Sequence, residues 1–307
     1  MEMITEAIVR LISEVVGASM VYVNEPMSRH TTFRIGGPAD LLVEPANVNQ
    51  TEAVIKLLRQ MKIPYMILGN GSNVLVGDKG IRCVVVKLGK EFGACDVIGT
   101  VVKAQAGIKL SRLAGFALGN CLTGLEFAAG IPGTLGGAVY MNAGAYGGEM
   151  KDVVRQVTYL DSMGHRGTMT AKECAFGYRD SFFARHPECV ILECEIQLQN
   201  GDKEKIRARM DELAAKRVEK QPLNLPSAGS TFKRPEGAFA GKLIQDAGLM
   251  GLRVGGASVS KKHAGFVVND QGASAEDVRK LIALVQEKVK EKFQIELQPE
   301  VKFIGEF

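Results

Sequence analysis

Two glycine-rich runs constrain this chain more than anything else in it. The first reads Leu68-Gly-Asn-Gly-Ser-Asn-Val-Leu75, and the second reads Ala129-Gly-Ile-Pro-Gly-Thr-Leu-Gly-Gly-Ala-Val-Tyr-Met-Asn-Ala-Gly-Ala-Tyr-Gly147. Glycines interleaved with Ser, Thr and Asn leave successive backbone N–H groups uncovered, so the chain can approach a ligand closely at these points. Such a surface suits a large, flat molecule that carries phosphates. No Gly-Lys-Ser or Gly-Lys-Thr closes either run, so neither is a P-loop. Val74 stands where the Rossmann fingerprint would place its third glycine. The pattern points to a dinucleotide held by some other route.

Composition narrows the class. The 307 residues suffice for two or three domains with real cores, and 46% hydrophobic and 23% charged residues lie in the globular range. A net charge of +4 makes no case for nucleic acid. The most basic stretch, Lys203 to Lys220, interleaves Glu204, Asp211, Glu212 and Glu219 at helical spacing and reads as a solvated helix face. No run approaches eighteen apolar residues, and no basic-then-apolar leader opens the chain, so no membrane insertion and a cytoplasmic location are expected. Met1 to Val16 reads instead as an amphipathic helix with Ile4, Ile8, Leu11, Ile12 and Val15 on one face. Cys83, Cys95, Cys121, Cys174, Cys189 and Cys194 form no C-x-x-C pair, so neither a disulfide framework nor a metal site is expected.

Periodicity suggests an α+β chain in three blocks, residues 1–88, 89–199 and 200–307. The first block holds strands over Asp40–Glu44, Tyr65–Leu68, Val74–Val76 and Arg82–Lys87, with a helix over Thr51–Met61. In the second, a strand is expected over Asp96–Ala104, followed by a helix with Ser111 as N-cap. A strand pair is expected around Ser162-Met163-Gly164, then an alternating strand through Val190, Leu192, Cys194, Ile196 and Leu198. The third block combines helices over Glu204–Lys220, Lys242–Ala247 and Ser274–Phe293 with strands over Gly265–Asn269 and Gln294–Ile304. Between them, Gln221–Gly237 has three prolines and little periodicity, which marks an ordered functional loop.

Further motifs sharpen this. His30-Thr-Thr-Phe-Arg-Ile-Gly-Gly37, the two glycine runs, Phe176-Gly-Tyr-Arg-Asp-Ser181, Gly229-Ser-Thr-Phe-Lys233, Lys262-His-Ala-Gly-Phe266 and Leu297-Gln-Pro-Glu-Val-Lys302 follow one another over nearly the whole chain. In this order they resemble the UDP-N-acetylenolpyruvoylglucosamine reductases of bacterial cell-wall synthesis, in the form without the extra tyrosine-bearing loop. The resemblance implies an FAD-binding PCMH-type fold of two α/β subdomains, like vanillyl-alcohol oxidase, over about 32–198. A smaller α+β substrate-binding domain would follow. It also implies NADPH-dependent reduction of an enolpyruvyl ether to a lactyl ether, giving UDP-N-acetylmuramate, by a protein expected to be a monomer.

Reducing an enol ether conjugated to a carboxylate needs a hydride source, a cation or donor for the carbanion, and an acid for the α-carbon. Arg179 suits the second role, since a guanidinium stays charged and forks onto a carboxylate. Its plainer reading is a surface arginine paired with Asp180. Ser230 is the candidate acid, although Gly229-Ser230-Thr231 also reads as an ordinary turn. Glu300 lies on the expected last strand, where Glu296, Gln298 and Lys302 share its face. The plain reading is a solvated carboxylate, whereas the resemblance makes it an active-site group working with Arg179.

The resemblance places FAD, bound without a covalent link, on both glycine runs. Leu68, Gly69, Asn70, Gly71, Ser72 and Asn73 would cradle its pyrophosphate. Ala129, Gly130, Pro132, Gly133, Thr134, Gly136 and Gly137, with Asn142 and Gly144, would run under its ring and ribityl chain. NADPH would visit transiently. Tyr178, Lys233 and Lys262 are candidate contacts to the UDP-sugar, and Arg234 stands where many members have asparagine. Two alternatives remain at this level: a related FAD-dependent oxidase, or a non-catalytic UDP-sugar-binding protein.

Overall fold

The structure is a computed structural model and describes residues 4–307. The helix expected from Met1 runs from Glu6 to Val16, and Met1, Glu2 and Met3 lie outside the described residues. Ile8, Ile12 and Val16 form its buried stripe, while Leu11, expected on that face, is exposed. The chain divides into two compact units. One comprises Met1–Tyr22, Leu41–Asn70 and Cys83–Arg217, and the other Val23–Asp40, Gly71–Arg82 and Val218–Phe307.

In the first unit, the strand Tyr65–Leu68 runs parallel to Ile81–Lys87, with Tyr65 opposite Val84 and Leu68 opposite Lys87. The chain thus reaches the first glycine run from a fixed strand end. The helix Val48–Gln60 starts at Asn47, whose side chain accepts the Gln50 N–H, and it buries Val54, Ile55 and Leu58. A second, five-stranded sheet has the order Arg166–Thr170, Val154–Leu160, Val190–Gln197, Val101–Gln105, Cys95–Ile98, all antiparallel. The expected alternation of Val190, Leu192, Cys194 and Ile196 is buried on the core side.

Two expectations for this unit are corrected. The single strand over Asp96–Ala104 is a hairpin, because Gly99 takes φ +60° and turns the chain between Ile98 and Val101. Ser111 is not a cap: the helix Leu110–Gly119 begins one residue earlier, with Lys109 at the N-cap. Its Leu110 N–H donates to Gly133 O at 3.0 Å, so the second glycine run satisfies a first-turn donor that a serine was expected to serve. The same run also holds a helix that periodicity did not suggest, Leu135–Tyr140, which buries Leu135, Ala138 and Val139. Its start is fixed by Leu135 N–H to Ile108 O and Gly136 N–H to Ala106 O, at 2.9 and 2.8 Å. The helix Lys203–Lys220 closes the unit, burying only Ile206 and Leu213 and pairing Arg209 and Lys216 with Glu212 on its outer face.

In the second unit, the helix Ala275–Phe293 is capped by Ser274 and Asp277 in a capping box and buries Val278, Leu281, Ile282, Val285 and Val289. These pack in one cluster with Phe33, Ile35 and Leu75. A three-stranded antiparallel sheet joins Arg253–Val254, Ala257–Val259 and Val267–Asn269. Its first two strands form a hairpin at Gly255-Gly256 that periodicity had not suggested. The terminal strand expected over Gln294–Ile304 shrinks to Lys302–Ile304, which runs parallel to Val74–Val76. Gln294 is left-handed at φ +57°, and Pro299 has no N–H to give a ladder, so the segment before Lys302 is irregular. Among the described residues, no helix is long and apolar enough to cross a membrane.

Candidate active site

The glycines of the second run do two different jobs. A Cβ built on Gly136 would stand 2.8 Å from Ala106 Cβ, so that glycine serves packing. On Gly137 it would meet only Thr134 Oγ1 at 3.6 Å, an ordinary contact, and neither packing nor φ requires glycine there. Gly130, Pro132 and Gly137 are exposed, while Thr134, Leu135 and Ala138 beneath them are buried. The result is a bare backbone face laid on a rigid core. Asn70, at the end of the first run, joins it by donating Nδ2–H to Pro132 O at 2.6 Å. A bare backbone face of this kind fits a flat cofactor such as FAD, because a side chain on Gly137 would occupy only the open space above that face.

Gly71 differs. It takes φ +62°, and a Cβ there would fall 2.1 Å from His30 O. Its carbonyl also accepts the Thr32 N–H at 3.1 Å. Glycine is therefore required at 71 by the protein's own packing, and a substitution there would disturb the loop whether or not a ligand binds.

Arg179 sits in a tight turn in which the Gly177 N–H donates to Asp180 O at 2.9 Å. Three side-chain bonds strap this turn to the second glycine run. Asn142 Nδ2–H donates to Gly177 O at 2.9 Å, Ser181 Oγ–H to Tyr140 O at 2.7 Å, and Arg179 Nη2–H to Gly144 O at 3.4 Å. The Arg179 guanidinium also lies 5.3 Å from the centre of the Tyr178 ring. Asp180, the neighbour that the plainer reading gave Arg179 as a partner, pairs with Arg185. Backbone strain gathers here: Asn142, Tyr146, Ala175 and Arg179 take φ of 45°, 53°, 44° and 54°. Left-handed backbone costs a non-glycine residue about 1 kcal/mol or more, and such strain persists where surrounding contacts enforce it.

Asn142, expected among the cofactor contacts, is the latch of this arrangement. It is buried, and its second N–H goes to Glu149 Oε2 at 2.8 Å while its oxygen accepts the Lys151 N–H at 2.9 Å. Glu149 is held below the usual carboxylate range, first by its hydrogen bond to Lys151 and also by Asn142 and the Arg179 charge. Asn142→Ala is expected to destabilise the protein by about 2 kcal/mol, through orphaned buried partners. Thermal unfolding would show this as a lowered midpoint, whereas an unchanged midpoint would place the amide outside the support of the turn.

In the second unit, Ser230 is exposed and its neighbour Thr231 is buried. All three polar groups of Thr231 are engaged. Its N–H donates to Gly265 O at 2.8 Å, its Oγ1 accepts the Val267 N–H at 2.9 Å, and its carbonyl accepts the Glu300 N–H at 2.8 Å. The bridge between Phe232 and Pro299 and the Lys233 N–H to Gln298 O bond at 2.8 Å extend this pairing. That register sets Thr231 opposite Glu300, so the backbone at Ser230 runs alongside the segment that carries the carboxylate. Glu300 is 9% exposed, which removes the reading of a solvated strand carboxylate. Asn73, from the first glycine run, donates Nδ2–H to Glu300 O at 3.2 Å and accepts the Lys302 N–H at 3.0 Å. Asn73, Ser230 and Glu300 all lie in this unit, where hydrogen bonds join Asn73 and Thr231, the neighbour of Ser230, to the Glu300 backbone. Arg179 and Tyr178 belong to the other unit.

Of the candidate substrate contacts, Tyr178 is 52% exposed, and Lys262 donates Nζ–H to Val218 O at 2.6 Å. Lys233 is half-buried, and Arg234 stacks its guanidinium 3.9 Å from the centre of the exposed Phe239 ring. Thr231, Asn142 and Ser181 escaped sequence reasoning as supports. Only their place inside the motifs signalled them.

Comparison with known proteins identifies the family. Residues 39–170 match the model of an FAD binding domain, and residues 221–304 match that of the UDP-N-acetylenolpyruvoylglucosamine reductase C-terminal domain. The chain is 52% identical to UDP-N-acetylenolpyruvoylglucosamine reductase of Caldanaerobacter subterraneus subsp. tengcongensis, over 98% of this chain and 99% of that one. It is 49% identical to the enzyme of that name from Clostridioides difficile, over 93% and 94%. The crystal structure of the Thermus caldophilus reductase superposes with a TM-score of 0.78 at 35% identity, covering 92% of this chain and 98% of that one. Alkyldihydroxyacetonephosphate synthase, 13% identical with a TM-score of 0.50 over 64% of this chain and 41% of its own, shares the fold alone. The chain belongs to the UDP-N-acetylenolpyruvoylglucosamine reductase family.

Proposed function

We propose that Arg179, Ser230 and Glu300 are the catalytic side chains of this FAD-dependent UDP-N-acetylmuramate dehydrogenase. The enzyme reduces the enolpyruvyl ether of UDP-N-acetyl-3-O-(1-carboxyvinyl)glucosamine to UDP-N-acetylmuramate in peptidoglycan precursor synthesis, with NADPH as reductant. FAD, when bound, supplies the hydride that reaches the β-carbon. Everything else falls to the chain's own groups. Arg179 forks onto the substrate carboxylate and stabilises the negative charge that spreads onto it. Ser230 Oγ–H protonates the α-carbon. A serine hydroxyl is a weak acid in water, but here it need only neutralise a strongly basic carbon held in contact. Glu300 orients this donor and, with Arg179, sets the charge around the reacting carbons.

The observation that carries this assignment is the triple engagement of Thr231, which fixes exposed Ser230 beside the segment bearing buried Glu300. A mere turn would need no such pin. Leu68–Asn73 and Ala129, Gly130, Pro132, Gly133, Thr134, Gly136 and Gly137, with Asn142 and Gly144, form the FAD cradle in this reading, and the cofactor is bound without a covalent link. Tyr178, Lys233 and Lys262 contact the UDP-sugar. Functionally, residues 1–88 and 89–199 serve FAD and residues 200–307 serve substrate, in a monomer working in the cytoplasm.

Gly137→Val tests the cradle, since the protein itself leaves that position open. The variant is expected to fold, with unfolding and circular dichroism close to the parent, and to purify without bound flavin. Normal flavin stoichiometry would remove the second glycine run from the FAD site.

A further inference from the structure

Arg217 falls between the regions that the two family models match, 39–170 and 221–304. It lies near the end of the helix Lys203–Lys220 and turns its side chain onto the second glycine run. A Cβ built on Gly130 would stand 3.2 Å from Arg217 Cδ and 3.3 Å from its Nη1, so the guanidinium arm fills the space that a side chain at Gly130 would take. Arg217 is half-buried, and burial pulls its pKa below the ordinary value, with the Tyr146 phenol acting weakly the other way. Its helix neighbours Arg209 and Lys216 both pair with Glu212. No carboxylate among the described residues pairs with Arg217. A cation withdrawn from water without a counter-charge is costly. Packing alone does not explain it, because a methionine or leucine would cover Gly130 without that cost.

We propose that Arg217 is an anion-binding residue for FAD, its guanidinium gripping an anionic oxygen of the cofactor where the chain passes Gly130. The inference rests on the reading of the second glycine run as cofactor cradle. Two parts of FAD offer this chemistry: the diphosphate, and the ring oxygen that carries negative charge in the reduced form. The fork of arginine suits either, and a lysine would hold them less well.

The test uses full-length Arg217→Gln and Arg217→Lys, each with flavin removed and with flavin restored. The flavin-free glutamine variant should unfold at the parent's temperature or above it, since an uncompensated charge has gone. Its affinity for FAD, titrated by quenching of flavin fluorescence, should weaken roughly 10- to 100-fold if the diphosphate is the partner, with riboflavin binding unchanged. If the reduced ring is the partner, oxidised FAD should bind normally and the two-electron potential should fall, by about 30 mV for each tenfold loss in relative affinity. The lysine variant should lie between parent and glutamine in whichever quantity moves. Unchanged FAD affinity and potential would overturn the proposal. So would an equal loss of stability in free and loaded protein, or a loss confined to UDP-sugar or NADPH binding. Gly137→Val separates the two readings. If that variant lacks flavin while Arg217→Gln binds FAD normally at an unchanged potential, the cradle stands and the role of Arg217 falls. If Gly137→Val keeps flavin, the cradle itself is at fault.

Discussion

Ser230→Ala lowers steady-state reduction of the enolpyruvyl substrate by on the order of a thousandfold, the loss expected on removing a positioned acid. The structure makes the reason specific. Ser230 is exposed while Thr231 beside it is bonded at N–H, hydroxyl and carbonyl, so the alanine variant keeps the loop and loses only the hydroxyl. Hydride can still reach the β-carbon, but the carbanion then waits for a proton, and return of the hydride competes. Ser230→Cys retains measurable turnover, because a thiol is the stronger acid and nearly the same shape. Rapid-mixing kinetics on both variants check this. Near-native turnover by the alanine variant would leave Ser230 a turn residue and pass the donor role to Glu300 or a water it holds.

Arg179→Ala slows reoxidation of the reduced enzyme by the enolpyruvyl substrate and leaves reduction by NADPH nearly untouched. Losing a cation that acts mainly as charge develops should raise the barrier by about 3–5 kcal/mol, or roughly two to nearly four powers of ten in rate. The turn should survive, since the Gly177–Asp180, Asn142–Gly177 and Ser181–Tyr140 bonds do not involve the guanidinium. Alanine also tolerates left-handed backbone poorly, so Arg179→Gly serves as the control for strain at φ +54°. Equal damage to both half-reactions in both variants would mark Arg179 as structural.

Much of this architecture was legible from residues alone, and the reasons differ from place to place. Tyr65–Leu68 and Val74–Val76 are apolar β-rich stretches bounded by glycine, and the structure has strands at those residues. The helix expected over Ser274–Phe293 is present as Ala275–Phe293, because its apolar residues recur at helical spacing and bury Val278, Leu281, Ile282, Val285 and Val289. The helix Leu135–Tyr140 was hidden, since Leu-Gly-Gly has low helix propensity and only the bonds to Ile108 and Ala106 enforce it. The final segment read as one strand because its apolar residues alternate, yet Leu297 and Val301 are buried in irregular chain that pairs with Phe232. At the site, the motifs exposed Arg179, Ser230 and Glu300, but nothing local could reveal that Asn142 latches one and Thr231 supports the others. Those roles consist of long-range hydrogen bonds, to Gly177 in one case and to Gly265, Val267 and Glu300 in the other. Arg217 was passed over as part of a solvated helix, and only its contact with Gly130 sets it apart.

The most direct test of the account is a single anaerobic turnover in heavy water. The flavin-loaded protein is reduced with one equivalent of NADPH and mixed with the enolpyruvyl substrate, while the visible spectrum is followed and the product analysed by NMR and mass spectrometry. Full recovery of the oxidised flavin spectrum, one equivalent of UDP-N-acetylmuramate, and solvent deuterium at C2 of the lactyl group are expected. A reduced enzyme that ignores the substrate but reoxidises rapidly in air would contradict the account, as would a product whose C2 carries no solvent deuterium.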